Sequence, residues 1–294
     1  MGARTPVPRA CGSPGSNLLI PGLPTYRAMG LRRQLEGVIP DELMPYVSDH
    51  YDVVGDIVVL ALHPALGPYK VTIAQAVAAG RKNIYTVLNK TRDVAGQHRT
   101  AQYEVLFGHV TTTTYHEFGF SYRLDVTKTF FSPRMAYERK RVTDQVEPGE
   151  RVCVPFAGVG PFAIPAAARG ADVQATEINP DAFRWLSENI VLNRVRESCH
   201  PHPGDAFDTS QFHHGSFDRI IIPAPYGAGD ALSPFLPLLS EGGMAHSYTF
   251  RTKEEIPALV ETYEKSGLAV TFYTACGNVA PGVSRWVFDL AYPI

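Results

Sequence analysis

The feature that most constrains the fold is a glycine-containing loop between two apolar segments in the second half of the chain. The first segment ends at Phe156 and leads into Gly158 and Gly160, and a helical stretch and a second apolar segment follow. Short apolar strands that alternate with helices are typical of a parallel sheet. Glycine lets the backbone turn tightly and approach a ligand, and the next helix presents free N–H groups at its N-terminus. The pattern predicts a strand–loop–helix–strand unit with a ligand beside the loop.

Carboxylates follow this loop at the spacing expected for a nucleoside ligand. Glu177 stands at the tip of the second strand, where a carboxylate can accept hydrogen bonds from both ribose hydroxyl groups. Asp205 follows a third expected strand, where it can reach an adenine amino group while Phe207 or Ile178 lies on the ring. Ordinary alternatives exist: glycine can serve packing alone, Glu177 can be a solvated strand end, and Asp205 can be an ordinary loop acid or cap a helix. The ordered combination favours nucleoside binding.

The rest of the chain predicts an α/β protein of two units. From about residue 143 the apolar segments RVCVPF, DVQAT, DRIIIPAP, MAHSYTF, AVTFYTA and SRWVFDLAY alternate with helical stretches, which indicates a Rossmann-like domain over 143–294. Residues 48–142 combine strand, helix and hairpin patterns, which indicates a small α+β domain. Residues 1–47 begin with a stretch rich in Pro, Gly, Ser and Ala, and we predict a flexible leader and linker there.

Composition narrows the classes of function. The chain has 294 residues, 45% of them hydrophobic, which is enough for a core without disulfides. Its four cysteines are scattered without the spacing of a zinc site, and no apolar run has the length of a membrane span. A formal net charge of −2 disfavours a polyanion as the main partner. We expect a cytoplasmic protein with no metal and no membrane partner, and we regard RNA as disfavoured.

Several ordered blocks between Tyr51 and the C-terminus resemble one known family. They are VVGDIVVL, NKTRDVAGQHRTAQYEVLFG, LDVTKTFFSPRMAYERKRV, PFAGVGPFAIPAAARG, TEINPDAFRWLSENIVLNRV, EGGMAHSYTF and NVAPGVSRWVFDL. They are similar to the tRNA guanine-37 N1-methyltransferases of archaea and eukaryotes, and to their relatives that transfer an aminocarboxypropyl group in wyosine synthesis. The resemblance implies a class I S-adenosylmethionine-dependent methyltransferase fold after a small domain, with S-adenosylmethionine as the cofactor.

The resemblance also directs the choice of site residues. The predicted cofactor-binding residues are Phe131, Arg134, Phe156, Ala157, Gly158, Val159, Gly160, Pro161, Phe162, Glu177, Ile178, Asn179, Asp205, Ala206, Pro223 and Pro225. Arg99 matches the family arginine that faces the guanine carbonyl, and Glu138 matches the proposed general base. Tyr226 is an aromatic residue at the catalytic mouth that can hold a sulfonium by cation–π attraction. We predict these three as catalytic, with ion pairs for Arg99 and Glu138 and simple packing for Tyr226 as the alternatives.

The chain departs from the family pattern where the acceptor chemistry belongs. Pro223 stands where the guanine methyltransferases have an asparagine, and proline has neither a side-chain amide nor a backbone N–H. Val154 or Pro155 replaces the acid expected near the end of the first strand, so the cofactor ammonium has lost a counter-ion. We find no counterpart, before Tyr51, of the domain with which the family grips the far end of tRNA. We therefore expect a different acceptor.

The sulfonium of S-adenosylmethionine activates three carbons, and the one held in line with a nucleophile reacts. Our leading interpretation is attack at Cγ, with a small molecule or the cofactor alone as substrate and methylthioadenosine as the leaving group. Ring closure by the cofactor's own amine would give azetidine-2-carboxylate, a product of bacterial secondary metabolism. The alternatives are methylation of a small molecule, methyl or aminocarboxypropyl transfer to tRNA, and non-catalytic cofactor binding. We expect tRNA to be a disfavoured partner.

Overall fold

The computed structural model describes residues 30–95, 100–210 and 212–293. Its strands are β1 (Asp52–Val54), β2 (Ile57–Leu60), β3 (Thr86–Ala95), β4 (Thr100–Phe107), β5 (Thr112–Glu117), β6 (Phe120–Asp125), β7 (Arg151–Val154), β8 (Asp172–Glu177), β9 (Cys199–Pro203), β10 (Phe217–Ile222), β11 (Leu239–Arg251), β12 (Ala269–Ala280) and β13 (Val283–Ala291). Its α-helices are α1 (Leu31–Gln34), α2 (Lys70–Gly80), α3 (Ala136–Thr143), α4 (Ala163–Ala168), α5 (Pro180–Leu192) and α6 (Ile256–Lys265). Short 3₁₀ helices cover Asp41–Tyr46, Pro64–Tyr69, Pro133–Met135, Ser233–Leu238 and Lys253–Glu255. Within the described ranges, no helix has the length and apolar character needed to cross a membrane.

The C-terminal half is built on a seven-stranded sheet in the order β12-β13-β11-β10-β7-β8-β9. Strands β9, β8, β7, β10 and β11 pair in parallel along this order, whereas β13 runs antiparallel to both β11 and β12. The carboxyl ends of the parallel strands therefore share one edge, which is where open α/β sheets bind ligands. This architecture confirms the predicted α/β fold with a Rossmann-like domain after a smaller unit.

Burial on both faces explains why the strands of this sheet are continuously apolar. Along β7, Val152 and Val154 join a core cluster that contains residues of α4 and α5. Cys153, between them, belongs to a second cluster that contains residues of α6. Alternate side chains of a strand point to opposite faces, so β7 supplies both cores at once. The first three residues after Arg151 are therefore at most 2% exposed.

The N-terminal unit is a four-stranded sheet in the order β1-β2-β3-β4, with α2 packed on it. Its core begins earlier than the sequence suggested, because Leu31, Leu35 and Ile39 are at most 5% exposed and pack in the same cluster as the α2 side chains. These apolar residues recur every fourth position inside the segment 1–47 that we predicted as leader and linker. The part of that segment before residue 30 lies outside the described residues, and the predicted domain limits stay a prediction.

The β5–β6 hairpin forms a separate two-stranded sheet that lies against α5. The Asn189 side chain of α5 accepts a hydrogen bond from the Arg123 backbone N–H (2.8 Å) and donates one to the Arg123 carbonyl (3.0 Å). Asn193 repeats this exchange with the backbone of Ser121, at 2.9 and 2.8 Å. The two asparagine amides thus satisfy backbone groups of β6 that no strand pairs with. The hairpin, which we assigned to the small domain over 48–142, packs on the Rossmann-like domain.

Candidate active site

The loop after β7 has the backbone that the sequence predicts. Phe156 (φ 55°), Gly158 (φ 58°) and Gly160 (φ 97°) all adopt left-handed conformations, which are costly for a residue with a Cβ. A Cβ on Gly160 would lie 2.7 Å from Ile164 and 2.9 Å from Leu186, so this glycine permits close packing of the loop on the helices. A Cβ on Gly158 would come no closer than 4.0 Å to its nearest neighbour, the Phe130 carbonyl oxygen. Gly158 therefore leaves open space beside the loop.

Other residues of this loop form its buried support. Ala157, Val159 and Phe162 are at most 5% exposed. The Ala157 N–H donates to the Thr176 carbonyl at 2.9 Å, which ties the loop to β8. Pro161 precedes Phe162 at the entrance to α4. Because the Ala157, Val159 and Phe162 side chains are buried, these three residues can contact a cofactor only through their backbone. The open side of Gly158 offers the space for it.

Glu177 is fixed in place at the end of β8. Its side chain is 8% exposed, and its two carboxylate oxygens accept hydrogen bonds from the backbone N–H groups of Gly158 and Asn179, each at 2.7 Å. A carboxylate oxygen can accept more than one hydrogen bond, so this position is compatible with a ribose diol. The alternative of a solvated strand end does not fit a buried carboxylate. The open space at Gly158 and the fixed carboxylate together fit the adenosyl part of S-adenosylmethionine.

Asn179 has a structural role that the sequence only partly indicated. Its Oδ1 caps α5 by accepting from the N–H groups of Asp181 (3.0 Å) and Ala182 (3.4 Å). Its Nδ2 donates to the Lys128 carbonyl at 2.9 Å and so holds the segment after β6 beside the loop. Ile178 is half-buried between Glu177 and this cap. The Asn179 side chain therefore positions backbone around the predicted cofactor site.

The predicted adenine side carries an aromatic cluster. Phe156 and Phe207 have ring centroids 5.2 Å apart, and both lie 6.1 Å from the ring of Phe235. Phe207 is 41% exposed and Ala206 is buried, so one aromatic face remains accessible beyond β9. Asp205 is exposed, and its Oδ1 accepts from the Phe207 backbone N–H at 3.0 Å. Asp205 thus shapes the loop as the ordinary alternative proposed, and its contact with adenine stays a prediction.

Phe131 lies next to the glycine loop, as its assignment to the cofactor site requires. The carbonyl of the preceding residue, Phe130, is the group nearest to the open side of Gly158. The Phe131 ring packs 4.9 Å from the ring of Tyr115, and the Arg139 guanidinium lies 5.0 Å from its centroid. Arg139 in turn pairs with the buried carboxylate of β5. The Phe131 ring is therefore held in one orientation.

Arg134, among the described residues, contacts the small unit and not the glycine loop. Arg134 is exposed, and its Nε donates to Asp52 of β1 at 2.7 Å, so it joins the two units of the chain. Arg99, predicted to face the acceptor, lies outside the described residues. The roles of both residues stay predictions.

Glu138 lies within a buried hydrogen-bond network. Arg141 donates from Nε and Nη2 to the two Glu138 oxygens, each at 2.9 Å, and the Tyr248 hydroxyl donates to Oε1 at 2.8 Å. The Tyr248 ring lies 5.6 Å from Phe162 of the glycine loop, so Glu138 is one side chain away from the cofactor site. Burial and the nearby Glu138 charge raise the pKa of Tyr248 well above its ordinary value. The ion pair with Arg141 is present, and the role of general base stays a prediction.

Sequence reasoning missed the continuation of this network. Asp289 of β13 accepts from Arg141 at 2.6 Å and lies 2.7 Å from Nδ1 of His246, which is fully buried. The His246 Nε2 lies 2.7 Å from Arg219, and Arg219 donates to both Glu150 oxygens. Burial opposes ionisation of Asp289, yet the hydrogen bonds from His246 and Arg141 hold the pKa of its carboxyl far below the usual range. Burial lowers the pKa of His246 despite the Asp289 charge. No local spacing in the sequence joins these residues.

The loop after β10 forms the remaining wall. Pro223 follows Ile222, whose carbonyl accepts from the Ala224 N–H at 2.8 Å, and the chain turns sharply there. The Pro225 carbonyl accepts a hydrogen bond from the Ala228 N–H at 3.0 Å. Tyr226 is 48% exposed and packs edge-to-face on Phe250 of β11, with ring centroids 5.0 Å apart. Tyr226 therefore packs, as the alternative has it, while its ring stays half exposed, and its place at the catalytic mouth stays a prediction.

The seven-stranded sheet, the glycine loop and the buried carboxylate define a class I S-adenosylmethionine-dependent methyltransferase fold. Residues 113–267 match the model of the TRM5/TYW2 methyltransferase domain, and residues 31–112 match that of the TYW2 N-terminal domain. The chain belongs to the TRM5/TYW2 family. It is an enzyme of this class, and S-adenosylmethionine is its cofactor.

Individual relatives cover different shares of their own length. The tRNA (guanine(37)-N(1))-methyltransferase Trm5b of Pyrococcus abyssi is 35% identical over 72% of this chain, which spans only 63% of Trm5b. The tRNA(Phe) (4-demethylwyosine(37)-C(7)) aminocarboxypropyltransferase of Pyrococcus horikoshii is 33% identical over 88% of this chain and 95% of that protein. The crystal structure of P. horikoshii TYW2 in complex with MeSAdo is 30% identical, has a TM-score of 0.74 and covers 89% of this chain and 97% of the solved chain.

These relatives correct one expectation. The prediction that tRNA is a disfavoured partner, with a small molecule or the cofactor alone as substrate, is wrong, because the similar proteins are tRNA-modifying enzymes. The net charge of −2 sums over the whole surface and carries no information about one face. The argument from a tRNA-gripping domain also misled us, because it gave no weight to residues 31–112, which match the TYW2 N-terminal domain.

Proposed function

We propose that this protein transfers the 3-amino-3-carboxypropyl group of S-adenosylmethionine to the base at position 37 of a tRNA. The observation that carries the proposal is the match to the P. horikoshii aminocarboxypropyltransferase over 95% of that protein. The match of residues 31–112 to the TYW2 N-terminal domain supports the same reading. In the transfer, the acceptor atom bonds to Cγ, the Cγ–S bond breaks, and the sulfur keeps the electron pair in methylthioadenosine. The substituted base loses a proton, which balances the charge of the sulfonium.

The end of β7 supports attack at Cγ. Val154 and Pro155 are buried and carry no charge, so this strand end offers no carboxylate for the ammonium of the donor. An amino-acid arm that is not anchored there is free to take a pose in which Cγ, and not the methyl group, faces the acceptor. Which carbon reacts depends on which one is held in line with the nucleophile.

The end of β10 supports the same choice. Pro223 occupies the position where the resemblance implies the asparagine of the guanine methyltransferases. Proline cannot donate a hydrogen bond from its side chain or from its backbone nitrogen. The contact that helps to position the N1 nucleophile for methyl transfer is therefore missing from this chain.

The surface beside the site suits a nucleic-acid substrate. Phe118 at the tip of the β5–β6 hairpin is 47% exposed, and Tyr137 of α3 is 82% exposed. Their rings pack edge-to-face at 5.5 Å, and the Lys140 ammonium lies 5.8 Å from the Phe118 ring. Exposed aromatic rings next to a cation are the groups on which unpaired bases stack. This surface follows directly on Glu138, which faces the other way into the network.

The test is to incubate the protein with S-adenosylmethionine and tRNA(Phe), and to identify the nucleosides of the digested tRNA by mass spectrometry. Two tRNAs serve as probes, one with guanine and one with 4-demethylwyosine at position 37. We expect an aminocarboxypropyl adduct on the base at position 37 of one of them, and none on the same tRNA with another base substituted there. Absence of any adduct at position 37 would overturn the proposal.

Methyl transfer to N1 of guanine-37 is the second candidate. It is favoured by the 35% identity to P. abyssi Trm5b over 72% of this chain. The same digest distinguishes it, because methylguanosine would appear together with S-adenosylhomocysteine in place of methylthioadenosine.

A further inference from the structure

Arg285, near the start of β13 in the large sheet, has no carboxylate partner among the described residues. It is half-buried, and no ion pair joins it to any of the described residues. Three other arginines of this region, Arg139, Arg141 and Arg219, each pair with a carboxylate. Burial lowers the pKa of Arg285, which shows that its surroundings within the protein disfavour the charge. A guanidinium removed from water without an anion is costly, so this position suits an anion from a ligand.

The topology places Arg285 on the side of the site where the amino-acid arm of the donor must lie. Glu177 ends β8, and the exposed aromatic face of Phe207 lies beyond β9, so the adenosyl part occupies the β8–β9 side of the glycine loop. The strands on the other side of β7 are β10, β11, β13 and β12. Because β13 is antiparallel, Arg285 near its start lies at the carboxyl edge, directly opposite Phe250 of β11.

Contacts connect Arg285 to the walls of the site. Its guanidinium lies 5.4 Å from the Phe250 ring, and Phe250 packs on Tyr226 after β10. Tyr248, two residues before Phe250 on the same strand face, packs on Phe162 of the glycine loop. Arg285 therefore lies in the same wall as the groups that line the β10 side of the loop.

We infer that Arg285 binds the α-carboxylate of S-adenosylmethionine and so fixes the aminobutyryl arm. The carboxylate is the single anionic group of this donor, and a guanidinium can bind it through two parallel hydrogen bonds. Val154 and Pro155 at the end of β7 carry no charge and cannot pair with the arm. A charged residue elsewhere in the site, such as Arg285, is therefore needed to hold it. The inference rests on S-adenosylmethionine as donor and not on the acceptor, so it can fail while the proposed tRNA function stands.

The experiment compares the binding of S-adenosylmethionine and decarboxylated S-adenosylmethionine by titration calorimetry, without tRNA. The two ligands differ by the carboxylate alone. Hydrogen bonds between charged groups are stronger than neutral ones, so we expect the wild type to prefer S-adenosylmethionine by about tenfold or more. Arg285→Gln should reduce this preference to less than about twofold, and Arg285→Lys should retain part of it. Arg81→Gln, which removes an exposed arginine stacked on Tyr51 in the small unit, should leave it unchanged.

Methylthioadenosine, which lacks the amino-acid arm, is the control for the fold of each variant. Arg285→Gln should bind it as the wild type does. A preference for the carboxylate that survives Arg285→Gln would overturn the inference, as would an equal loss of affinity for all three ligands. Unchanged binding of the three ligands with weaker, less salt-dependent tRNA binding would assign Arg285 to a phosphate and would also overturn it.

Discussion

The predicted donor side and the predicted acceptor side of the site are built in opposite ways. The predicted donor side is the loop 156–162 with Glu177, and hydrogen bonds from backbone N–H groups of neighbouring loops hold it. The predicted acceptor side is Glu138 with Tyr248 and Asp289, and hydrogen bonds among buried side chains from three distant parts of the chain hold it. The difference teaches that the generic part of the site is local in sequence, whereas the part that faces the acceptor depends on tertiary contacts.

The strongest way to break this contrast is to remove one charge from the acceptor-side network. Asp289→Ala leaves His246 and Arg141 without their shared buried acceptor, and we expect a loss of about 3–5 kcal/mol in the free energy of unfolding. Glu261→Ala, which breaks an exposed pair with Lys265, should cost less than about 1 kcal/mol. Urea unfolding measures both. Equal losses in the two variants would mean that the network does not support this side of the site.

A matched glycine pair sharpens the account of the donor side. Gly160→Ala introduces a Cβ 2.7 Å from Ile164 at a left-handed φ, and we expect a loss of about 3 kcal/mol from overpacking and backbone strain. Gly158→Ala has the strain but open space, so about 1 kcal/mol is expected. Its larger effect should be on S-adenosylmethionine binding. Thermal or urea unfolding measures the loss of stability in each variant, and a binding titration measures the loss of cofactor affinity. A larger loss of stability in Gly158→Ala than in Gly160→Ala would refute the packing argument.

Glu177→Gln tests the donor side by a measurement of cofactor binding. The amide keeps the size of the side chain, but it removes the charge and replaces one of the two oxygens that accept from the Gly158 and Asn179 N–H groups by a donor. We expect about tenfold weaker binding of the cofactor. Methylthioadenosine and S-adenosylmethionine should be weakened equally, because both carry the ribose. A loss confined to S-adenosylmethionine would place Glu177 at the amino-acid arm instead. Asp181→Asn, at an exposed ion pair with Lys128 in the first turn of α5, is the control.

The smallest predicted effect is a pH dependence of the acceptor side. The pKa of His246 is lowered in the folded protein, so below about pH 6.5 the unfolded chain binds a proton that folded His246 does not. Stability should therefore fall as the pH drops from 7 to 5, by up to about 1.4 kcal/mol per pH unit from this group. His246→Gln should flatten the slope, whereas His116→Gln, at an exposed site, should not. An unchanged slope in His246→Gln would contradict a neutral His246.

The parts of the protein that could be predicted from sequence are those encoded by neighbouring residues. The glycines, the apolar strands and Glu177 lie within one strand–loop–helix–strand unit, and the periodicity of that unit defines its geometry. The pairing of Arg141 with Asp289 spans about half the chain, and it forms because β13 returns beside β11. No spacing rule in the sequence encodes such a return.

The acceptor was misjudged for the same reason. Pro223, Val154 and Pro155 are visible in the sequence as departures, but their effect depends on what surrounds the donor arm. Arg285, whose position opposite Phe250 only the sheet register reveals, is the residue that we propose for that place. The net charge of −2 led to a wrong conclusion about tRNA in a similar way. It sums the charges of the whole surface, whereas a partner contacts only one face of the folded protein.

The most direct measurement of the central claim is the rate of methylthioadenosine release from S-adenosylmethionine with and without tRNA, followed by mass spectrometry. The account predicts release that depends on a tRNA with its natural base at position 37, and little without it. Methylthioadenosine that forms at the same rate without tRNA would contradict transfer to tRNA. It would show that S-adenosylmethionine reacts without a tRNA acceptor.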